Sequence, residues 1–163
     1  MPRFLAFACL LLLAGRSPSP VQGPGAAQMR ACLDGLAAGR GDWRTFSLTY
    51  DDVHGLHGGL TLTIHGDGKV EQQAVRIQPR EPRDVRKRDL EELVSLLREL
   101  KAWEQRTPER QAVPDESIAS LTIRCGGGAV RIWEWYNEMA AEARIGRVQD
   151  RMTRLALRPA RGK

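Results

Sequence analysis

Short runs of alternating apolar and polar residues dominate the middle of the chain. They are separated by stretches whose apolar residues recur every three or four positions. Phe46, Leu48 and Tyr50 alternate with Thr45, Ser47 and Thr49, which predicts a half-buried strand over 43–50. Leu60, Leu62 and Ile64 alternate with Thr61, Thr63 and His65 in the same way. A hairpin turn at Gly66-Asp67-Gly68-Lys69 then leads into a third strand over 70–77. A connection rich in proline and charge, 79–88, ends this sheet segment. Asp89, with Glu92 three residues on, makes a capping-box-like start to a helix over 89–100, and Leu90, Leu93, Val94, Leu97 and Leu100 fall on one face of it. After the polar loop 107–114, Ala119, Leu121, Ile123 and Cys125 alternate with Ser120, Thr122 and Arg124. Gly126-Gly127-Gly128 turns the chain, and 129–136 returns as a strand. A last helix over 138–157 carries Ala141, Ile145, Val148, Met152 and Leu155 along one side. The order is βββ-α-ββ-α. Antiparallel hairpins and helices that share one apolar surface predict an α+β fold, a single antiparallel sheet with two helices on one face.

The start of the chain follows a different pattern. Arg3 precedes an unbroken apolar run over 4–14, and a Ser/Pro/Gly-rich stretch follows to Ala27. About eleven apolar residues are too few to span a bilayer, so 1–27 reads as a cleaved signal peptide with processing between Ala27 and Gln28. Arg16 stands where a lipoprotein signal would carry its cysteine, so no lipid anchor is expected. The protein is therefore expected to be exported, periplasmic or extracellular, with no transmembrane segment after cleavage. The domain is placed at 43–158, after an N-terminal segment, 28–42, that carries no predicted element, and before a basic tail, 159–163.

Charge and cysteine content sharpen this picture. The chain has 25 Lys and Arg against 20 Asp and Glu, and loss of Arg3 and Arg16 leaves it mildly basic. Cys32 and Cys125 are the cysteines that remain after processing. In an oxidising compartment they read as a disulfide, the alternative being two separately buried small residues.

The element order has a counterpart among known small domains. A first strand that ends in the glycine-rich loop Gly55-Leu56-His57-Gly58-Gly59-Leu60, the 60–64 strand and the 89–100 helix carry the likeness. So do Pro114-Asp115 and Leu121-Thr122-Ile123 before a glycine turn. In these features the chain resembles the emfourin family of protease inhibitors, which act on thermolysin-like metalloproteases, and several uncharacterised small secreted bacterial domains. The resemblance implies an inhibitory loop over 51–60, with Asp52, His54, Leu56 and His57 as the partner-binding residues.

Candidate chemistry is sparse. Asp51, Asp52, His54 and His57 are metal-ligand types, but spacing fixes no third ligand, and a solvated loop is the plainer reading. No serine sits in a nucleophile elbow, so no catalytic residue, cofactor or metal is assigned. Glu134 and Glu138 read as an exposed strand residue and a first-turn acid. Trp133 and Trp135 share one side of their strand and form either an aromatic surface for a partner or a cover over the sheet edge. Arg144, Arg147, Arg151, Arg154 and Arg158 recur at helical spacing, a stripe that suits peripheral contact with an anionic envelope surface or simply flanks a buried helix face. The expected function is a non-enzymatic binding module with a protein partner, a secreted protease being the most concrete candidate and nucleic acid excluded by export. Docking on anionic surfaces is the alternative.

Overall fold

The computed structural model describes residues 24–105, 108, 115–139 and 143–158. The sheet contains β1 (Ser47–Asp51), β2 (Gly59–His65), β3 (Val70–Val75), β4 (Ile118–Cys125) and β5 (Gly128–Trp135). All neighbours are antiparallel and the spatial order is β3-β2-β1-β4-β5. Three helices accompany it: α1 (Pro24–Ala37), α2 (Lys87–Leu100) and α3 (Ala143–Ala156). The α+β class and the single antiparallel sheet are as the sequence predicts, with one helix more than expected.

Register explains how the alternation becomes a core. Leu48 lies opposite Ile64 on one side and Ile123 on the other, and Tyr50 lies opposite Leu62 and Leu121. All six are buried, so one sheet face is a continuous apolar floor. Met29, Leu33 and Leu36 of α1, Leu90, Leu93, Val94 and Leu97 of α2, and Ile145, Val148 and Met152 of α3 belong to the same cluster. Their spacings of three and four place each set on one helix face. Burying an aliphatic side chain of this size contributes roughly 1.5–3 kcal/mol, so α1 is part of the core and 28–42 is no loose leader. The spacing of Met29, Leu33 and Leu36 is a helical signal that the sequence offered. The first 23 residues of the expected signal segment, and the basic tail 159–163, lie outside the described residues. The expected processing point after Ala27 falls inside α1.

Several boundaries differ from expectation for local reasons. Residues Trp43–Thr45 form a 3-10 turn capped by the Asp42 carboxylate, which accepts from Arg44 N at 3.0 Å, so β1 starts later. β3 stops at Val75 because Arg76 turns to a φ of 55°. α2 begins at Lys87, which makes Asp89 a first-turn acid paired with Arg86 at 2.8 Å and not the capping residue. That guanidinium holds the Asp89 carboxyl below its usual range. α3 begins at Ala143, with Glu138 and Met139 in a turn before it.

Covalent and polar ties fix the helices. Cys32 of α1 is bonded to Cys125 of β4, with α-carbons 5.9 Å apart. At the tight β4–β5 turn, Gly126 and Gly127 both have positive φ, as a two-residue hairpin loop requires. A side chain at Gly126 would also press on the Cys32 sulfur. Arg98 of α2 reaches Asp34 of α1 at 2.7 Å. The connection between β3 and α2 clamps the end of α3. Pro82 pairs with Leu157, and the Arg83 guanidinium donates to the carbonyls of Leu155 at 2.8 Å and Arg154 at 2.6 Å. A cation on the last-turn carbonyls satisfies acceptors that the helix leaves over and complements its dipole. Among the described residues no helix is long and apolar enough to cross a membrane.

Candidate functional site

The β1–β2 loop is built by hydrogen bonds rather than by packing. His54 and Gly58 exchange backbone bonds at 2.9 and 2.8 Å, closing a tight turn around residues 55–57. Asp52 anchors the loop to the sheet. One of its carboxylate oxygens accepts from Leu60 N at 2.6 Å and the other from the Tyr50 hydroxyl at 2.8 Å. Arg76 holds the tip from the β3 side, its guanidinium donating to Leu56 O at 2.7 Å. The Leu56 amide donates to His54 Nδ1 at 3.2 Å, and the rings of His54 and His57 stack with centroids 5.1 Å apart. Gly58 and Gly59 are obligatory. Both have positive φ, and a β-carbon on Gly58 would lie 2.0 Å from the carbonyl oxygen of Val75.

This arrangement separates the four residues expected to bind a partner. Leu56, 58 % exposed, and His57 form the free tip, while His54 and Asp52 are half-buried and Asp52 braces the loop. The loop therefore presents a stiff apolar point on a polar frame. Beside it lies a groove of about 430 Å³ at the same end of the sheet. Asp52, His57 and Leu60 form one wall, and Ile77, Asp115, Ser117, Tyr136 and Asn137 contribute to the rest. Ile77 is 44 % and Tyr136 47 % exposed. The sequence pattern gave no hint of this second wall, because extending β3 to Ile77 and β5 to Tyr136 put both side chains in the alternation of the sheet. Both strands end earlier, and Tyr136 lies just past β5, its amide donating to Ser117 O at 2.9 Å in continuation of the β4–β5 register.

Tyr50 couples the core to this site. Its hydroxyl lies 3.8 Å from the Met139 sulfur as well as against Asp52. Burial, reinforced by the negative charge of Asp52, pushes the Tyr50 hydroxyl above the usual tyrosine range. The folded state thus disfavours the phenolate. The stability contributed by protonated Tyr50 is fully present below the unfolded tyrosine pKa of about 10 and is lost as pH rises above it. Urea midpoints measured from pH 8 to 11 should fall in the upper part of that range for the parent protein and fall less for Tyr50→Phe. Parallel declines would remove Tyr50 as the cause.

The remaining sequence candidates lie elsewhere and fare differently. Trp135 is 3 % exposed and Trp133 half-buried, with their rings edge to face at 5.0 Å, so Trp135 does not contribute to an exposed aromatic surface. Glu134, expected to be exposed, points to the helix-covered side, is 5 % exposed and accepts from Gln105 Nε2 at 3.4 Å. The arginine stripe largely faces the acids of α2 and the preceding connection. Arg147 pairs with Glu99 at 3.0 Å, Arg151 with Glu92, and Arg158 with Glu81 at 3.0 Å. Among the described residues Arg144 and Arg154 make no ion pair, which leaves a much smaller field than five free cations would give.

Compared with protein-family models, curated proteins and solved structures, the chain matches none. Function must therefore be read from the geometry of the site itself.

Proposed function

We propose that the protein is an exported, non-enzymatic binding module that engages a protein partner through the β1–β2 loop. One observation carries this reading. The most exposed large hydrophobic among the described residues, Leu56, stands at the tip of a turn held by Asp52, Arg76 and the His54–Gly58 pair. Solvating such a side chain is unfavourable in the free protein, and a preformed loop loses little entropy on docking. The disulfide agrees with an oxidising compartment, and the leader pattern of 1–27 with export.

Inhibition of a secreted thermolysin-like protease is the concrete form of this function, in keeping with the emfourin resemblance. In that form the loop enters the enzyme's cleft with Leu56 leading. Docking on an anionic envelope surface is the weaker alternative, because three of the five arginines it needs are already ion-paired. Purified protein is expected to slow a thermolysin-like protease at near-stoichiometric ratios. Changing Leu56 and His57 together to alanine should weaken inhibition by at least roughly tenfold, about 1.4 kcal/mol, with an unchanged melting temperature. No inhibition across a panel of secreted metallo- and serine proteases would remove the inhibitor function.

A further inference from the structure

The groove beside the loop has a charge unlike that of the chain as a whole. The protein carries 25 Lys and Arg against 20 Asp and Glu, yet among the described residues the groove is lined by Asp52 and Asp115 and by no lysine or arginine. Among the described residues neither carboxylate takes part in an ion pair. The contrast with the α2–α3 groove is instructive. That space, about 590 Å³, is lined by four arginines and four acids, with Arg147 paired to Glu99 and Arg151 to Glu92, so its opposite charges balance. Asp52 uses each oxygen once, for Leu60 N and the Tyr50 hydroxyl, and a carboxylate oxygen accepts more than one hydrogen bond. The rest of the lining includes the exposed apolar surfaces of Ile77 and Tyr136, with Leu56 on the adjoining loop.

Carboxylates beside an aliphatic chain and an aromatic ring match a long cationic side chain. The charged head pairs with acid, the methylene stem lies on apolar surface, and an aromatic face attracts the cation. A bare metal ion fits less well, since no three His, Cys, Asp or Glu among the described residues stand close enough to hold one. We propose that this groove receives an arginine or lysine side chain of the partner, next to an apolar residue that meets Leu56. The proposal rests on reading this end of the sheet as the interaction surface, and it names the partner's chemistry there.

The test is a titration of the folded, disulfide-bonded protein, labelled with nitrogen-15, with the peptide acetyl-Leu-Arg-Gly-amide. Its Gln and Glu counterparts serve as comparisons. Amide shifts are expected to saturate with the Arg peptide and to map to 56–60, 77, 115–117 and 136–137. Affinity should be roughly tenfold weaker for the Gln peptide and lower still for the Glu peptide. It should fall for Asp115→Asn and for Tyr136→Ala, two surface changes that keep the melting temperature, and also at high salt. Equal binding of all three peptides, shifts that map to the α2–α3 groove, or no shifts at all would overturn it. Arg-peptide binding without protease inhibition would sink the inhibitor reading alone. Inhibition without peptide binding would sink the cation groove alone.

Discussion

Replacing Cys32 and Cys125 together with alanine is expected to lower the unfolding free energy by about 2–5 kcal/mol, the usual cost of losing a native disulfide in a small domain. The bond spans 93 residues, so in the unfolded chain it restricts the segment from α1 to the end of β4. It also fastens α1 to β4, where both sulfurs sit beside the turn at Gly126. Without it, α1 keeps Met29, Leu33 and Leu36 and the Arg98–Asp34 pair as its main attachments. Urea unfolding of the oxidised protein and the double variant gives the difference directly. Hydrogen exchange should show the largest loss of protection in α1. A change below about 1 kcal/mol, or uniform loss across the sheet, would mean that the bond contributes little to holding this helix.

Gly58→Ala should be the most damaging single change at the candidate site. It forces a β-carbon into the left-handed region at φ 75° and to within 2.0 Å of Val75 O, where β3 must give way. Strained backbone alone costs about 1–3 kcal/mol, and displacement of a strand edge adds to it. The expected loss is about 3 kcal/mol, together with weakened partner binding, because the loop can no longer hold Leu56 in place. Gly55→Ala is the matched control on the same loop. A β-carbon there meets nothing within 4 Å, and stability should stay within about 0.5 kcal/mol of the parent. Equal stability of the two variants would show that the turn adapts and that the loop is not preformed.

Much of the sheet was readable because its alternation is local. Leu48, Tyr50, Leu62, Ile64, Leu121 and Ile123 share a face whatever lies around them, and the glycines at 126 and 127 mark a turn that few other residues can make. Alternation does not say which side stays covered at a sheet edge. Glu134 and Trp135 are both buried although they point to opposite sides, because the end of β5 is enclosed from both directions. The arginine stripe failed as a free charge for a similar reason. Its partners Glu81, Glu92 and Glu99 lie far away in sequence and come opposite only when α2 and the connection before it pack against α3 and the residues that follow it. Helix α1 was missed because the leader-like stretch before it drew 24–27 into a cleaved segment, although Met29, Leu33 and Leu36 carried the periodicity. At the candidate site the loop and its paired glycines were visible in the sequence. The opposing wall, Ile77, Asp115 and Tyr136, depends on where two strands stop, which period-two patterning does not record.

The strand order β3-β2-β1-β4-β5 also determines how the chain must assemble. The β2–β3 and β4–β5 hairpins close over short turns and can form early, as local contacts do. The sheet is joined across its middle by β1 and β4, which the whole of β2, β3 and α2 separates in the chain. Until that long-range pairing forms, β1 and β4 are both unprotected edges bearing the most apolar residues of the sheet, the kind of surface that recruits other chains. The Cys32–Cys125 bond ties α1, which precedes β1, to β4, so once formed it keeps the two halves of the sheet near each other. Protein refolded under reducing conditions at high concentration should therefore be lost to aggregation at the stage of two unjoined hairpins, with little trapped after the sheet has closed.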